Sequence, residues 1–134
     1  MLGRIGLVTI ITGDIPEMKR FYLEVLGFEC IEDLGTYVEF RNKGVRFALS
    51  TPDVMYEGTE HPSYREERNG QSFELAFPLP TAEDVGKAYD EITGKGATPI
   101  KAPEMMPWGR TTAFFADPDG NIHELYSLRE GEEI

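Results

Sequence analysis

Apolar and polar positions change period several times along this chain. Residues 6–12 (GLVTIIT) form a short run rich in Val, Ile and Thr, which predicts a strand. Behind Asp14, a residue suited to cap a helix, Met18, Phe21, Tyr22 and Val25 recur at the three- and four-residue spacing of one helical face. Glu17 sits three positions after Asp14 as in a capping box, and Gly27 is placed to end the helix in a left-handed conformation. Residues 28–33, 36–40 and 45–50 then read as strands separated by turns. The first part of the chain is therefore expected to run β-α-β-β-β.

The same pattern returns 67 positions later. Thr81 and Asp84 stand where Asp14 and Glu17 stood, and Val85, Ala88, Tyr89 and Ile92 repeat the apolar helical face. Gly94 takes the place of Gly27, and residues 73–79 (FELAFPL) overlay residues 6–12. Strands are expected at 98–101, 111–116 and 122–128, with the Pro and Gly of Asp117-Pro118-Asp119-Gly120-Asn121 making a tight turn between the last two. Capping residues, a helical face and a closing glycine agree at one offset without a gap, which argues for an internal repeat. The chain thus reads as one domain of two modules, about 1–50 and 72–128. A polar linker covers about 51–71, and a frayed acidic tail covers 129–134.

Composition narrows the partners. The 134 residues carry 13 Lys and Arg against 24 Asp and Glu, a net charge of −11, which argues against nucleic acid and against an anionic membrane surface. The apolar run at the N-terminus is too short to span a bilayer and lacks the flanks of a signal peptide, so a cytoplasmic location is expected. One cysteine, Cys30, excludes an internal disulfide and any CxxC metal motif; it is expected to be a small buried residue.

Strand alternation locates the candidate chemistry. Phe73, Leu75 and Phe77 share one face, expected to take the helix, so Glu74 and Ala76 point to the other, open face. In the last strand Leu125 lies on the helix side, while Glu124 and Tyr126 share the open face. Two carboxylates are therefore expected on one sheet face within otherwise apolar strands. The repeat pairs Glu74 with Leu7 and Glu124 with Ala48, so the open faces carry Leu7, Thr9, Ala48, Ser50, Glu74, Ala76, Glu124 and Tyr126. A mixed lining of this kind suits a small-molecule cleft.

The segments GDIPEMKRFYLEVLGFE (13–29) and WGRTTAFFADPDGNIHELYSL (108–128), with the opening strand, make the chain resemble the vicinal oxygen chelate superfamily over about residues 4–128. That superfamily includes glyoxalase I, bleomycin-resistance proteins, fosfomycin-resistance enzymes and extradiol dioxygenases. The resemblance implies an α+β fold in which two pseudo-symmetric βαβββ modules form a curved, partly barrel-like sheet, with a homodimer as the expected assembly and the site between modules. Metal-using members place ligands at four positions, which fall here at Leu7, Ala48, Glu74 and Glu124. Leu7 stands where His or Gln is usual, Ala48 where Glu is common and Glu74 where His is often found; Glu124 alone keeps the pattern. Two carboxylates without imidazole make a poor site for Zn, Ni or Fe, while Mg or Mn could sit on them with waters and substrate oxygens.

The sequence thus points to a metal-independent protein of the bleomycin-resistance type, with no cofactor expected, binding a small cationic or aromatic molecule. Glu74 and Glu124 would meet positive charge and Tyr126 would supply area. Trp108, flanked by Met105 and Met106, would act as a stacking platform or as a lid over the core edge. Tyr37 and Phe40 would wall the cleft or pack in the core, and Arg110 would pair with a ligand anion or with Glu74 or Glu124. His123 is expected on the helix side, and His61 in the solvated linker. The alternatives are a metal-dependent lyase or dioxygenase in which Glu74 and Glu124 hold a divalent metal, and a non-catalytic interaction dimer.

Overall fold

The computed structural model describes residues 2–133; Met1, at the start of the first expected module, and Ile134, at the end of the expected tail, lie outside them. Contacts divide the chain between Asn69 and Gly70. Each part holds one four-stranded mixed sheet with a helix on one face, so the fold is α+β and made of two βαβββ modules.

The first unit runs β1 (Leu7–Ile11), α1 (Ile15–Arg20), β2 (Cys30–Asp33), β3 (Tyr37–Phe40) and β4 (Arg46–Ser50), in the sheet order β1-β4-β3-β2 with β1 parallel to β4. Asp14 caps α1 by accepting the Glu17 N–H at 3.2 Å, as the capping pattern predicts. The helix continues over Phe21–Val25 as a wider π turn, and Gly27 closes it at φ 82°. Its inner side, with Met18, Phe21 and Tyr22, covers the sheet face that carries Ile10, Val38, Phe40, Phe47 and Leu49, all of them buried. The Tyr22 and Phe47 rings meet edge to face at 5.2 Å, and Phe28 and Phe47 lie 5.4 Å apart. Such pairs add about 0.5–1.5 kcal/mol each beyond the area they bury.

The expected linker is structured over much of its length. Thr51 caps a helix α2 (Pro52–Thr59), where Pro at the first turn loses no hydrogen bond, and a 3₁₀ turn follows at Pro62–Arg65.

The second unit runs β5 (Ala76–Leu79), α3 (Ala82–Gly94), β6 (Thr98–Met105), β7 (Thr111–Ala116) and β8 (Ile122–Ser127), in the order β5-β8-β7-β6 with β5 parallel to β8. Thr81 caps α3 through the Asp84 N–H at 3.1 Å. The helix ends at Gly94, as the repeat implied, but Gly94 is not left-handed; Gly96, at φ 122°, takes that conformation and lets the Ala97 N–H reach back to the Ile92 carbonyl at 2.9 Å. The helix side of this sheet carries Phe77, Ala113, Phe115, His123 and Leu125. Among the described residues, no helix is long and apolar enough to cross a membrane.

Candidate functional site

The registers bear directly on the open faces. In the first unit Thr9 pairs with Ala48, and in the second Ala76 pairs with Glu124. Ala48 is therefore the structural counterpart of Glu124. Leu7 precedes Thr9 by two residues as Glu74 precedes Ala76.

On the second sheet the open face carries Ala76 and Pro78 from β5, Glu124 and Tyr126 from β8, and Thr112 and Phe114 from β7. Glu74 lies just ahead of β5, which starts three residues later than the expected strand. The cause is His123. Its Nδ1 accepts the Leu75 N–H at 3.1 Å, so a side chain stands where a neighbouring backbone carbonyl would have continued the ladder. The Glu124 N–H still donates to the Leu75 carbonyl at 2.9 Å, and this pins the residues beside Glu74 to β8.

The two carboxyl groups influence one another: the Glu124 pKa is pushed up to about 7, first by burial and then by neighbouring Glu74, with Arg110 pulling the other way. Near neutral pH Glu124 is thus only partly ionised, the direction expected when a second carboxyl lies near a half-buried one. Thr112 stands cross-strand from Tyr126 on the same face, and its hydroxyl is buried with no partner among the described residues.

Arg110, at the start of β7, does not pair with Glu74 or Glu124. Its Nη1 and Nη2 reach Glu132 Oε1 and Oε2 at 2.6 and 2.7 Å, its Nη1 also donates to the Ser127 carbonyl at 3.0 Å, and the guanidinium lies 5.1 Å from the centre of the Tyr126 ring. The described part of the tail is accordingly folded rather than frayed: Glu132 also accepts the Arg129 N–H at 3.0 Å, and Arg129 Nη2 donates to the Trp108 carbonyl at 2.7 Å. Trp108 is 57% exposed, and Met105 is likewise exposed.

The open face of the first sheet is chemically different. Leu7, Thr9, Ala48 and Ser50 lie on it as expected, and so do Tyr37, Glu39 and Arg46. Glu39 is buried and fully used: it accepts the Tyr37 hydroxyl at 2.7 Å and Arg46 Nε and Nη2 at 2.9 and 2.7 Å. Arg46, then Tyr37, hold its pKa down to about 2. Phe40 is not on this face. It is three residues from Tyr37, an odd step on a strand, so it points to the helix side and packs fully buried among Tyr22, Phe28 and Phe47.

The remaining candidates serve the fold. His123 is buried between Leu75 and Asp117, with Nε2 at 3.4 Å from Asp117 Oδ2. His61 caps the 3₁₀ turn by accepting the Ser63 N–H at 3.2 Å. Cys30 is half-buried, not buried, because it begins the edge strand β2. Asp117 accepts the Asp119 and Asn121 N–H groups, both at 3.0 Å, which explains the DPDGN turn as local structure. A groove of about 390 Å³ beside α1, between Ile15, Leu23 and Gly35, lies away from the open face, and its cations Lys19 and Arg20 are paired with Asp33 and Glu17. Among the described residues no three His, Cys, Asp or Glu are grouped as ligands for a metal ion.

Sequence reasoning missed Glu39, Arg46, Thr112 and Glu132. Glu39 was within reach, being two residues from Tyr37 and so on its face. Arg46 needed the β3–β4 register, and Glu132 needed the fold of the tail.

Comparison with known proteins agrees with this architecture. The chain is 29% identical to the Bacillus subtilis (strain 168) protein YraH over 126 residues, 90% of this chain and 95% of that protein. It superposes with a TM-score of 0.84 on the crystal structure of a glyoxalase/bleomycin resistance protein/dioxygenase from Nocardioides, at 25% identity, covering 96% of this chain and 85% of the other. A glyoxalase/bleomycin resistance protein/dioxygenase family enzyme from Burkholderia phytofirmans PsJN gives 0.84 at 27% identity, covering 95% and 100%. The family profile matches residues 4–125, and the chain belongs to the glyoxalase/bleomycin resistance protein/dioxygenase superfamily.

Proposed function

We propose that this protein binds a small molecule carrying a cationic group and an aromatic body on the open face of its second sheet, with no metal required. The backbone bond from the Glu124 N–H to the Leu75 carbonyl at 2.9 Å, which seats Glu74 next to Glu124, carries the reading, and the raised Glu124 pKa supports it. A cation arriving there would draw the proton from Glu124 and meet two carboxylates, Glu124 half-buried, where a charge pair counts for more than in water, and Glu74 exposed. Tyr126 lies beside Glu124 on that face, and the Trp108 ring stands exposed on the β6–β7 turn.

Members of the superfamily often use a divalent metal, and the donor set here does not suit one. At the two positions matching Glu74 and Glu124 in the first module, Leu7 and Ala48 offer no lone pairs. Neither imidazole is free, since His61 is engaged by Ser63 and His123 by Leu75. Two carboxylates alone fall short of what a transition ion takes from protein in such sites.

The test is a calorimetric titration of metal-stripped protein with benzamidine, an aromatic cation, and with benzyl alcohol, its neutral counterpart. Benzamidine should bind and benzyl alcohol should not, and Glu124→Gln and Glu74→Gln should each weaken benzamidine by about tenfold, or about 1.4 kcal/mol. Binding or lyase activity that appears only when Mg or Mn is added, and vanishes in Glu124→Gln, would replace this reading with the metal-dependent enzyme.

A further inference from the structure

The Arg110–Glu132 pair spans the chain in a way that a surface ion pair does not. The guanidinium is held on the Ser127 carbonyl and lies against the Tyr126 ring, so it is fixed from one side and presents its fork to the other. Both oxygens of one carboxylate fill that fork at 2.6 and 2.7 Å. This is the bidentate geometry in which arginine recognises a free carboxylate. The carboxylate belongs to the tail, and a turn built for the purpose delivers it. Gly131 sits at φ 79°, the Glu132 N–H donates to the Arg129 carbonyl at 3.0 Å, and Arg129 ties the turn to the Trp108 carbonyl.

We propose that Glu132 is a displaceable stand-in: Arg110 is the carboxylate seat of the open face, the tail occupies it in the absence of ligand, and the ligand is an amphoteric aromatic molecule that puts its own carboxylate there. This rests on the reading of Glu74 and Glu124 as the cation-binding end and adds the opposite end of the same ligand. Three observations converge on it. Arg110 lies 5.1 Å from the centre of the Tyr126 ring, and Tyr126 is two residues from Glu124 on the same face of β8, so both ends fall within the reach of one small molecule. Tyr126, next along that face from Glu124 and against Arg110, places an aromatic surface between the charges. The Thr112 hydroxyl, cross-strand from Tyr126, is buried with its hydrogen bond unmade. Acid does not open the latch near neutral pH, because Arg110, and next the Arg129 N–H, hold Glu132 down at about 2. Only a competing anion can.

The experiment uses the full chain and three probes: benzoate, benzamidine and 4-amidinobenzoate. Glu132→Gln removes the tail's charge and keeps its shape. Benzoate and 4-amidinobenzoate should bind it about tenfold tighter than the parent, while benzamidine should be unchanged. Adding Arg110→Gln to Glu132→Gln should abolish the gain. No gain in Glu132→Gln, or a gain that survives loss of Arg110, overturns the proposal. If Glu132→Gln melts too low to titrate, the parent answers by NMR: benzoate should shift the Arg110 Nε–H and sharpen the amides of residues 130–133. An unmoved tail at saturating benzoate overturns the proposal equally. Loss of benzamidine binding alone would sink the reading of the carboxyl pair and leave the Arg110 seat standing.

Discussion

Glu124 carries an ionisation that acts on stability as well as on binding. Its ordinary pKa is near 4.5 and its folded value is about 7, raised by burial first and by Glu74 second. The folded protein therefore holds a proton that the unfolded chain has lost at neutral pH. The resulting stabilisation is complete below about pH 4.5 and is lost as pH rises through 7. The other strongly shifted carboxylates act in a different window. Glu39 and Glu132, both held down to about 2 by arginine partners, contribute stability that is present above 4.5 and lost in acid. Between pH 5 and 8 the difference between parent and Glu124→Gln thus isolates Glu124. The parent's melting temperature should decline across that range more steeply than the variant's, as thermal melts in matched buffers will show. Glu74→Gln should keep part of the decline, because burial, the largest cause, survives it. Identical slopes in parent and Glu124→Gln would refute the raised Glu124 pKa. The positions of these residues were legible, since alternation alone puts Glu74, Glu124 and Tyr126 on one face. Their proximity was not, because it depends on how β5 and β8 are joined.

That joining belongs to the elements. Strand β5 is shorter than its apolar run because the His123 ring takes the Leu75 N–H, and the ring is itself buried against Phe73, Phe77 and Phe115. Removing it should leave a buried donor without a partner and a cavity lined by aromatic rings. His123→Ala should then cost about 2–4 kcal/mol in urea unfolding. It should also displace the Leu75 amide in a ¹⁵N spectrum and lower the Glu124 pKa as Glu74 drifts from it; a stable variant with an unmoved Leu75 amide would contradict this role. The pattern of apolar positions could announce a strand at 73–79, but nothing in it says that a side chain from a distant strand takes over one rung. The capped helix starts were legible for the opposite reason, since Asp14 and Thr81 act on N–H groups three residues away. The left-handed closing residue was legible at Gly27 and falls at Gly96 rather than Gly94 in the second helix, because either glycine could serve and only the wrap of Ala97 onto Ile92 decides. Likewise α2 follows a visible Thr-Pro start, but the polar composition of 51–71 hides the helix behind it.

Over the whole molecule the repeat was the most legible feature, because β1–β4 and β5–β8 keep matching registers although β6 is twice the length of β2. The net charge of −11 was legible too, and its consequence is separable from the site. A long-range field acts on any ligand in proportion to the ligand's net charge and is screened as the Debye length shrinks from about 30 Å at 0.01 M salt to about 8 Å at 0.15 M. The hydrogen-bonded contacts to Glu74, Glu124 and Arg110 are local and are screened far less. The three probes divide these contributions. Benzamidine is drawn in by the field and should weaken several-fold over that salt range. Benzoate is repelled by it and should strengthen. 4-Amidinobenzoate, neutral overall, should hold its affinity, because the field works on neither end in net terms while both local contacts remain. Titrations at the two salt concentrations decide the matter: a steep salt dependence for the amphoteric probe would mean that only its cationic end is bound and that the Arg110 seat stays closed.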